Sequence, residues 1–259
     1  MIRAANYLLI DISNSFTKIA FATQSRIFRP TRIATAKLTS SYLRKFSARR
    51  KIDIFVVSSV VPKKAREVRK AAGRTPILWL NSRVKLGVGI DYPNPSTIGA
   101  DRLANAAAVA ELYGCPAVVV DFGTAVTFDI VSSNHKYIGG VIAPGLEAMT
   151  NFLYQRTALL PKLSLKEPRF AVGRSTIEAM RSGAVFGYRG LVREIIARIK
   201  AERFPRKRVR VVATGGYAKL IGSHLAELDA ICPNLTLEGL RIVANRNSSR
   251  LKNEIFPRK

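Results

Sequence analysis

Short apolar runs rich in β-branched residues alternate along the chain with stretches whose apolar positions recur at helical spacing, the pattern of an α/β protein with buried strands. The runs predict strands at Tyr7–Ile10, Ile54–Val57, Ala117–Val120, Thr127–Val131 and Val209–Ala213. Between them, the Ala-rich stretch from Asp101 to Tyr113 begins with a carboxylate and stops at Gly114 and Pro116, which predicts a helix. Ser175 and Glu178 have the spacing of a capping box and open a second long helix through Ile199. Pro93–Ser96 reads as loop, and the polar, basic stretch from Asn247 onward as a frayed tail.

Composition narrows the class. A chain of 259 residues with 47% hydrophobic residues can bury a substantial core in one large or two small domains, which excludes a disordered protein. No run approaches the ~18 apolar residues of a membrane span, and Asp11 interrupts the first apolar stretch too early for a signal peptide. Cys115 and Cys232 lie far apart without a CxxC partner, so neither a disulfide framework nor a zinc site is expected and a reducing cytoplasm fits. His135 and His224 have no neighbours at a telling spacing and read as surface residues. The formal charge of +26 is uneven: residues 1–85 carry 19 basic and 3 acidic residues, 86–150 carry 2 and 6, and 151–259 carry 22 and 8. The basic clusters have no interleaved aromatics in sequence, so a solvated basic face is expected and specific nucleic-acid binding is not.

One internal similarity points to chemistry. Leu8-Leu9-Ile10-Asp11 followed by Ile12-Ser13-Asn14-Ser15, and Val118-Val119-Val120-Asp121 followed by Phe122-Gly123-Thr124-Ala125, share one grammar: buried apolar residues, an Asp, a small-residue turn and a second strand. Such a hairpin turns backbone N–H groups and hydroxyls toward a common point, where they can cradle phosphate. A strand ending in an ordinary turn is the plainer reading of either alone, since Asp, Ser, Asn and Gly favour turns for conformational reasons. Two of them, with the Thr214-Gly215-Gly216 turn, point to nucleotide binding in a duplicated α/β architecture.

These residues resemble type III pantothenate kinase, within the superfamily of acetate and sugar kinases, Hsp70 and actin. The resemblance spans roughly Leu8 to Asn247. It rests on Asp11–Lys18, on Tyr92-Pro93-Asn94-Pro95 with Gly99–Ala106, and on Asp121–Asp129 with Gly139–Leu146. It also covers Thr157–Pro161, Gly173–Thr176, Gly187-Tyr188, Ala213–Gly216 and Leu235–Leu240. It implies two actin-like (ribonuclease H-like) ATPase domains with a cleft between them, at residues 1–114 and 115–247, followed by a basic tail at 248–259. The implied activity is ATP-dependent phosphorylation of pantothenate to 4'-phosphopantothenate, the first step of coenzyme A biosynthesis, in a cytoplasmic homodimer with its substrate site at the subunit interface. The implied cofactors are Mg²⁺ with ATP and a monovalent cation, K⁺ or ammonium.

By the same resemblance Asp11, Ile12, Ser13, Asn14, Ser15, Phe16, Thr17 and Lys18 bind ATP, with Asp11 also on Mg²⁺ and Thr124 adding a contact from the second hairpin. Tyr92, Gly99, Ala100, Asp101, Arg102 and Thr176 bind pantothenate, Asp101 is the base, and Asp121 holds the monovalent cation. A non-catalytic relative associated with transcription or nucleic acid is the alternative.

The chemistry asks for such residues. Phosphoryl transfer to an alcohol is mostly positioning and charge neutralisation, and an ionised Asp is a sufficient late proton acceptor. Arg102 offers a planar fork for a substrate carboxylate. From the residues alone Asp101 could equally be a helix-stabilising first-turn acid, and Asp121 competes with it as base. The first hairpin departs from the family's usual Asp-x-Gly-Asn-Thr: Ser13 stands where glycine is usual, and a left-handed backbone there would cost about 1 kcal/mol.

Overall fold

The computed structural model describes residues 6–48 and 50–248, and its chain separates into two compact units. The expected tail at 248–259 lies, but for Ser248, outside the described residues.

The first unit is built on strands β1 (Tyr7–Ile12), β2 (Phe16–Ala22) and β3 (Thr31–Ala34), helix α1 (Ser40–Ser47), β4 (Ile54–Ser59), α2 (Ala65–Ala72) and β5 (Ile77–Trp79). Its sheet has the order β3-β2-β1-β4-β5, with β1–β2 and β2–β3 antiparallel and β1–β4 and β4–β5 parallel. All six residues of β1 are buried, as a continuous apolar run in the middle of a sheet covered on both faces should be. Leu8, Ile10, Phe55 and Val57 form a core with Leu43 and Phe46 of α1 and Val68 of α2. Helix α1 starts where the hydroxyl oxygen of Thr39 accepts a hydrogen bond from the Tyr42 N–H (3.1 Å). The unit continues through the short β6 (Gly89–Ile90) into α3 (Ala100–Leu112).

The second unit contains β7 (Ala117–Phe122), β8 (Ala125–Val131), β9 (Lys136–Pro144), α4 (Leu146–Arg156), α5 (Thr176–Arg203), β10 (Arg210–Gly215), α6 (Ala218–Gly222) and β11 (Ala230–Ile231). Its strands run β11-β10-β7-β8-β9, with β7–β8 antiparallel and β7–β10 and β10–β11 parallel. In both units the first strand therefore pairs with a hairpin partner on one side and a parallel crossover strand on the other, so the duplicated grammar of the sequence is a duplicated topology. The beginning of β9, His135–Ile138, groups with the first unit, where Lys136 and Tyr137 pair in parallel with Gly89 and Ile90.

The last helix, α7 (Leu235–Arg246), also belongs to the first unit, whereas the expected division places residues 234–247 in the second. Packing explains this. The Thr236 hydroxyl donates to Asn105 Oδ1 of α3 (2.9 Å), both groups being buried, and the Tyr7 hydroxyl donates to Asn245 Oδ1 (2.9 Å). Gly239 lies directly on the Ala104 carbonyl of α3, where a Cβ would overlap backbone, so the glycine sets how closely the two helices approach. The predicted strands and helices are all present. β1, β4, β7 and β10 each run two residues past the predicted end, because the strand-end polar residues keep the ladder hydrogen-bonded.

Candidate active site

In the first unit, β1 and β2 pair in register through Asp11–Lys18 and Ile12–Thr17, and the hairpin closes where the Ser13 N–H donates to the Phe16 carbonyl (3.1 Å). Asn14 and Ser15 stand exposed at the tip, while Asp11 is only 6% exposed. The start of the 3-10 turn at Thr35 grips this hairpin. The Thr35 N–H donates to the Ser15 carbonyl (3.0 Å), its hydroxyl donates to the Ser13 carbonyl (2.7 Å), and it shares a hydrogen bond with the buried Thr17 hydroxyl (3.0 Å). The expected strain at Ser13 is absent: among the described non-glycine residues only His135 and Arg206 have positive φ. Serine is accommodated because this turn keeps Ser13 in ordinary backbone. Beside Asp11, on the parallel strand β4, lies Ser58, whose hydroxyl is buried without a hydrogen-bond partner.

The segment resembling the substrate motif is also in this unit. Pro95–Thr97 form a 3-10 turn, buried Ile98 anchors it, and Gly99 caps α3. Asp101 sits in the first turn of α3, where its Oδ1 accepts the Arg102 N–H (2.8 Å). A Cβ on Gly99 would come within 2.5 Å of this carboxylate oxygen, so the glycine makes room for the carboxylate to fold back over the helix start. Burial pushes the Asp101 carboxyl above the ordinary carboxylate range, opposed by the Arg102 N–H and by the Arg102 charge. The Arg102 guanidinium lies 5.7 Å from the ring centre of Tyr137, and that ring meets Tyr92 edge-on at 6.1 Å. Asp101, Arg102, Tyr137 and Tyr92 thus make one wall: a carboxylate, a cation and two aromatic rings.

Tyr137 is the residue the sequence reading missed. It reaches this wall only because β9 pairs with β6, where the Asp91 N–H donates to the Tyr137 carbonyl (2.9 Å). An isolated tyrosine in a Lys-Tyr-Ile context carries no signal of such a role.

In the second unit, β7 and β8 pair through Asp121–Thr127 and Phe122–Val126, and the Gly123 N–H donates to the Ala125 carbonyl (3.1 Å) to close a tight turn with Thr124 exposed. Gly145 packs onto the backbone of Gly123 and Thr124, its N–H donating to the Thr124 carbonyl (3.2 Å). Gly215, with φ of 94°, lies against Asp121 and Phe122; a Cβ there would reach within 2.5 Å of Asp121 Oδ1. Thr214 neighbours Asp121 on the parallel strand β10, and its buried hydroxyl has no hydrogen-bond partner. Each unit therefore ends its first strand in an Asp beside a buried hydroxyl.

Thr176 is the first residue of α5 and exposed. Ser175 caps that helix, its hydroxyl accepting the Glu178 N–H (3.3 Å), while the Glu178 carboxylate reaches back to the Arg174 N–H (2.8 Å). The structure therefore places the expected residues in two sets: residues 11–18, Tyr92 and 99–102 in the first unit, and Asp121, Thr124 and Thr176 in the second. Of the histidines, exposed His224 lies 3.0 Å from Arg189, whose guanidinium forms a two-pronged ion pair with Glu167, so it serves a structural ion cluster.

Among the described residues, no three His, Cys, Asp or Glu side chains gather as a protein-only metal cage. The nearly buried carboxylate of Asp11 at the first hairpin is the kind of single protein ligand that can bind Mg²⁺ together with substrate phosphates.

Comparison with known proteins bears on the reading. The family model of type III pantothenate kinase matches residues 7–198. A type III pantothenate kinase of Akkermansia muciniphila is 49% identical over 243 residues, covering 93% of this chain and 99% of the relative. One from Methylacidiphilum infernorum is 43% identical, covering 96% and 92%. Among solved structures, the inorganic polyphosphate/ATP-glucomannokinase of an Arthrobacter strain has a TM-score of 0.51 at 14% identity, covering 95% of this chain and 99% of that one, and shares the fold. With a matching model over most of its length and near-full-length relatives of this similarity, the chain belongs to the type III pantothenate kinase family.

Proposed function

We propose how this chain's residues carry out the family's reaction, phosphorylation of pantothenate by ATP. The observation that supports the assignment best is the wall on α3 and β9, which sets a carboxylate in a dehydrated position beside a guanidinium and two tyrosines. Arg102 and Tyr92 hold pantothenate, Arg102 pairing with its carboxylate, and Gly99 and Ala100 leave room against backbone. Asp101 accepts a hydrogen bond from the primary hydroxyl. As the hydroxyl oxygen bonds to the γ-phosphorus and the bond to the ADP oxygen breaks, Asp101 takes the proton. The hairpin Asp11–Lys18 and Thr124 hold ATP phosphates through backbone N–H groups, hydroxyls and the Lys18 charge. Asp11 would hold Mg²⁺ together with ATP phosphates, and the ion would neutralise phosphate charge. Asp121 binds the monovalent cation, K⁺ or ammonium.

The homodimer that the family resemblance implies is supported by the surface of the second unit. A groove of about 670 Å³ lined by Leu146, Met149, Phe152, Leu153, Met180 and Ala184 opens between α4 and α5. In the same unit Phe152, which lines it, and Phe170 and Val172 are 59%, 64% and 80% exposed, large apolar side chains that a second copy could cover. Thr176, at the start of α5, then touches substrate bound to the other subunit. The enzyme works in the cytoplasm, where its substrates are; among the described residues no helix is long and apolar enough to cross a membrane.

A coupled ADP assay tests the reading. With ATP, Mg²⁺ and K⁺, purified protein should release ADP in proportion to added pantothenate, and release no greater than in the pantothenate-free control would end it. Replacing K⁺ by Na⁺ should lower the rate, and Asp121→Asn should remove most of that difference.

A further inference from the structure

The kinase reaction leaves the protein's basicity unexplained, and the first unit shows where that charge is organised. Between Asn14 and Ile52 the chain carries ten Lys and Arg and no Asp or Glu. In sequence Arg26 lies two residues before Phe28, whereas Arg50 lies 22 residues after it. In the fold both lie over aromatic rings: the Arg50 guanidinium is 4.0 Å from the ring centre of Phe28 and 5.2 Å from that of Phe21, and Arg26 is 4.7 Å from Phe28. Phe21 in turn stacks on Phe46 of α1 at 4.9 Å with the rings 14° apart, which anchors the ladder in the core. The turn carrying Arg26 is itself fixed, because the Gln24 carbonyl accepts hydrogen bonds from Arg241 Nη1 (2.5 Å) and Asn245 Nδ2 (2.8 Å) of α7. Arg26 and Arg50 are exposed and have no ion-pair partner among the described residues.

An exposed guanidinium held over a ring by a cation–π contact leaves its planar face and N–H groups to meet a base or a phosphate. We infer that the Arg26–Phe28–Arg50–Phe21 ladder is a binding surface for a single-stranded nucleic acid, which stacks unpaired bases on the outer guanidinium faces while the surrounding cations follow its phosphates. A duplex keeps its base faces hidden and cannot use these planes. An acidic membrane surface is a poorer match: no large apolar side chain from residue 17 to residue 91 is exposed among the described residues, so nothing here inserts among acyl chains. The surface is separate from the residues assigned to pantothenate and ATP, and the inference does not depend on those assignments.

Fluorescence anisotropy of the full chain with a labelled 20-nucleotide oligouridylate, titrated between 50 and 300 mM KCl, tests it, with a 20-base-pair duplex and phosphatidylserine-containing vesicles as parallel arms. The single strand should bind more tightly than the duplex and lose affinity with salt. Arg26→Ala with Arg50→Ala should weaken binding about tenfold or more, and Arg50→Lys, which keeps the charge and loses the plane, several-fold with little change in salt slope. Removing two charges elsewhere, Arg203→Ala with Arg206→Ala, should change affinity no more than about twofold. Pantothenate-dependent ADP release should be unchanged in every variant. Equal losses in the two double variants, duplex or vesicle binding as tight as the single strand, full retention by Arg50→Lys, or no binding at 100 mM KCl would each overturn the inference.

Discussion

The role proposed for Asp101 as proton acceptor has a counterpart in stability. Its carboxyl is held above the ordinary range by burial, so the folded state binds the proton more tightly than the unfolded state, and ionisation at neutral pH works against folding. Asp101→Asn should therefore lower turnover by about 10²-fold or more while leaving the KM for ATP within a few-fold. It should also melt at or above the wild-type temperature at pH 7. That stability gain should shrink as pH falls through the raised Asp101 value and vanish below the unfolded value of about 3.9, a course that thermal melts across pH would follow. Thr35 acts on the phosphate hairpin from outside it. Thr35→Val removes the hydrogen bond to the Ser13 carbonyl and leaves the Thr17 hydroxyl short of a partner, a loss of about 1 kcal/mol or more in holding the turn. Steady-state kinetics should show the KM for ATP rising several-fold with little change for pantothenate, and Thr35→Ser restoring it. Ser13 shows the limit of residue-level reading: its backbone conformation is set by neighbours 22 residues away in the chain, which the hairpin sequence does not contain.

Elements are placed by a few contacts too small to read in a hydrophobic pattern. Helix α7 lies on α3 through a glycine, and Gly239→Ala would drive a methyl group into the Ala104 carbonyl. Overpacking of this kind should cost about 1–3 kcal/mol, read as a lower midpoint in urea with an unchanged slope. The pattern found β1, β4, β7, β8, β10, α3 and α5 because burial on both sheet faces demands unbroken apolar runs such as Leu8–Ile10 and Val118–Val120. It did not find β6 or the start of β9, two-residue and polar-flanked pairings, and so it left Tyr137 out of the substrate wall. The capping box at Ser175 was legible, although Glu178 bonds the Arg174 N–H rather than that of Ser175.

At the scale of the whole molecule, the proposed dimer uses the exposed apolar face of α4 and α5. Phe152→Glu with Leu153→Glu should convert the proposed dimer to a monomer in light scattering and, if Thr176 acts across it as proposed, lower pantothenate-dependent activity. By itself the sequence determined the α/β class, the duplicated strand-Asp-turn grammar, the Gly99–Arg102 segment and the family, because each rests on local conformational preference or on contiguous residues. Only the tertiary structure decided that α7 returns to the first unit, that Ser13 is unstrained, that Tyr137 joins Arg102, and that Arg50 lies over the ring of Phe28, 22 residues before it in the chain. Those contacts join segments distant along the chain, and their energies come from packing and register that no local window contains.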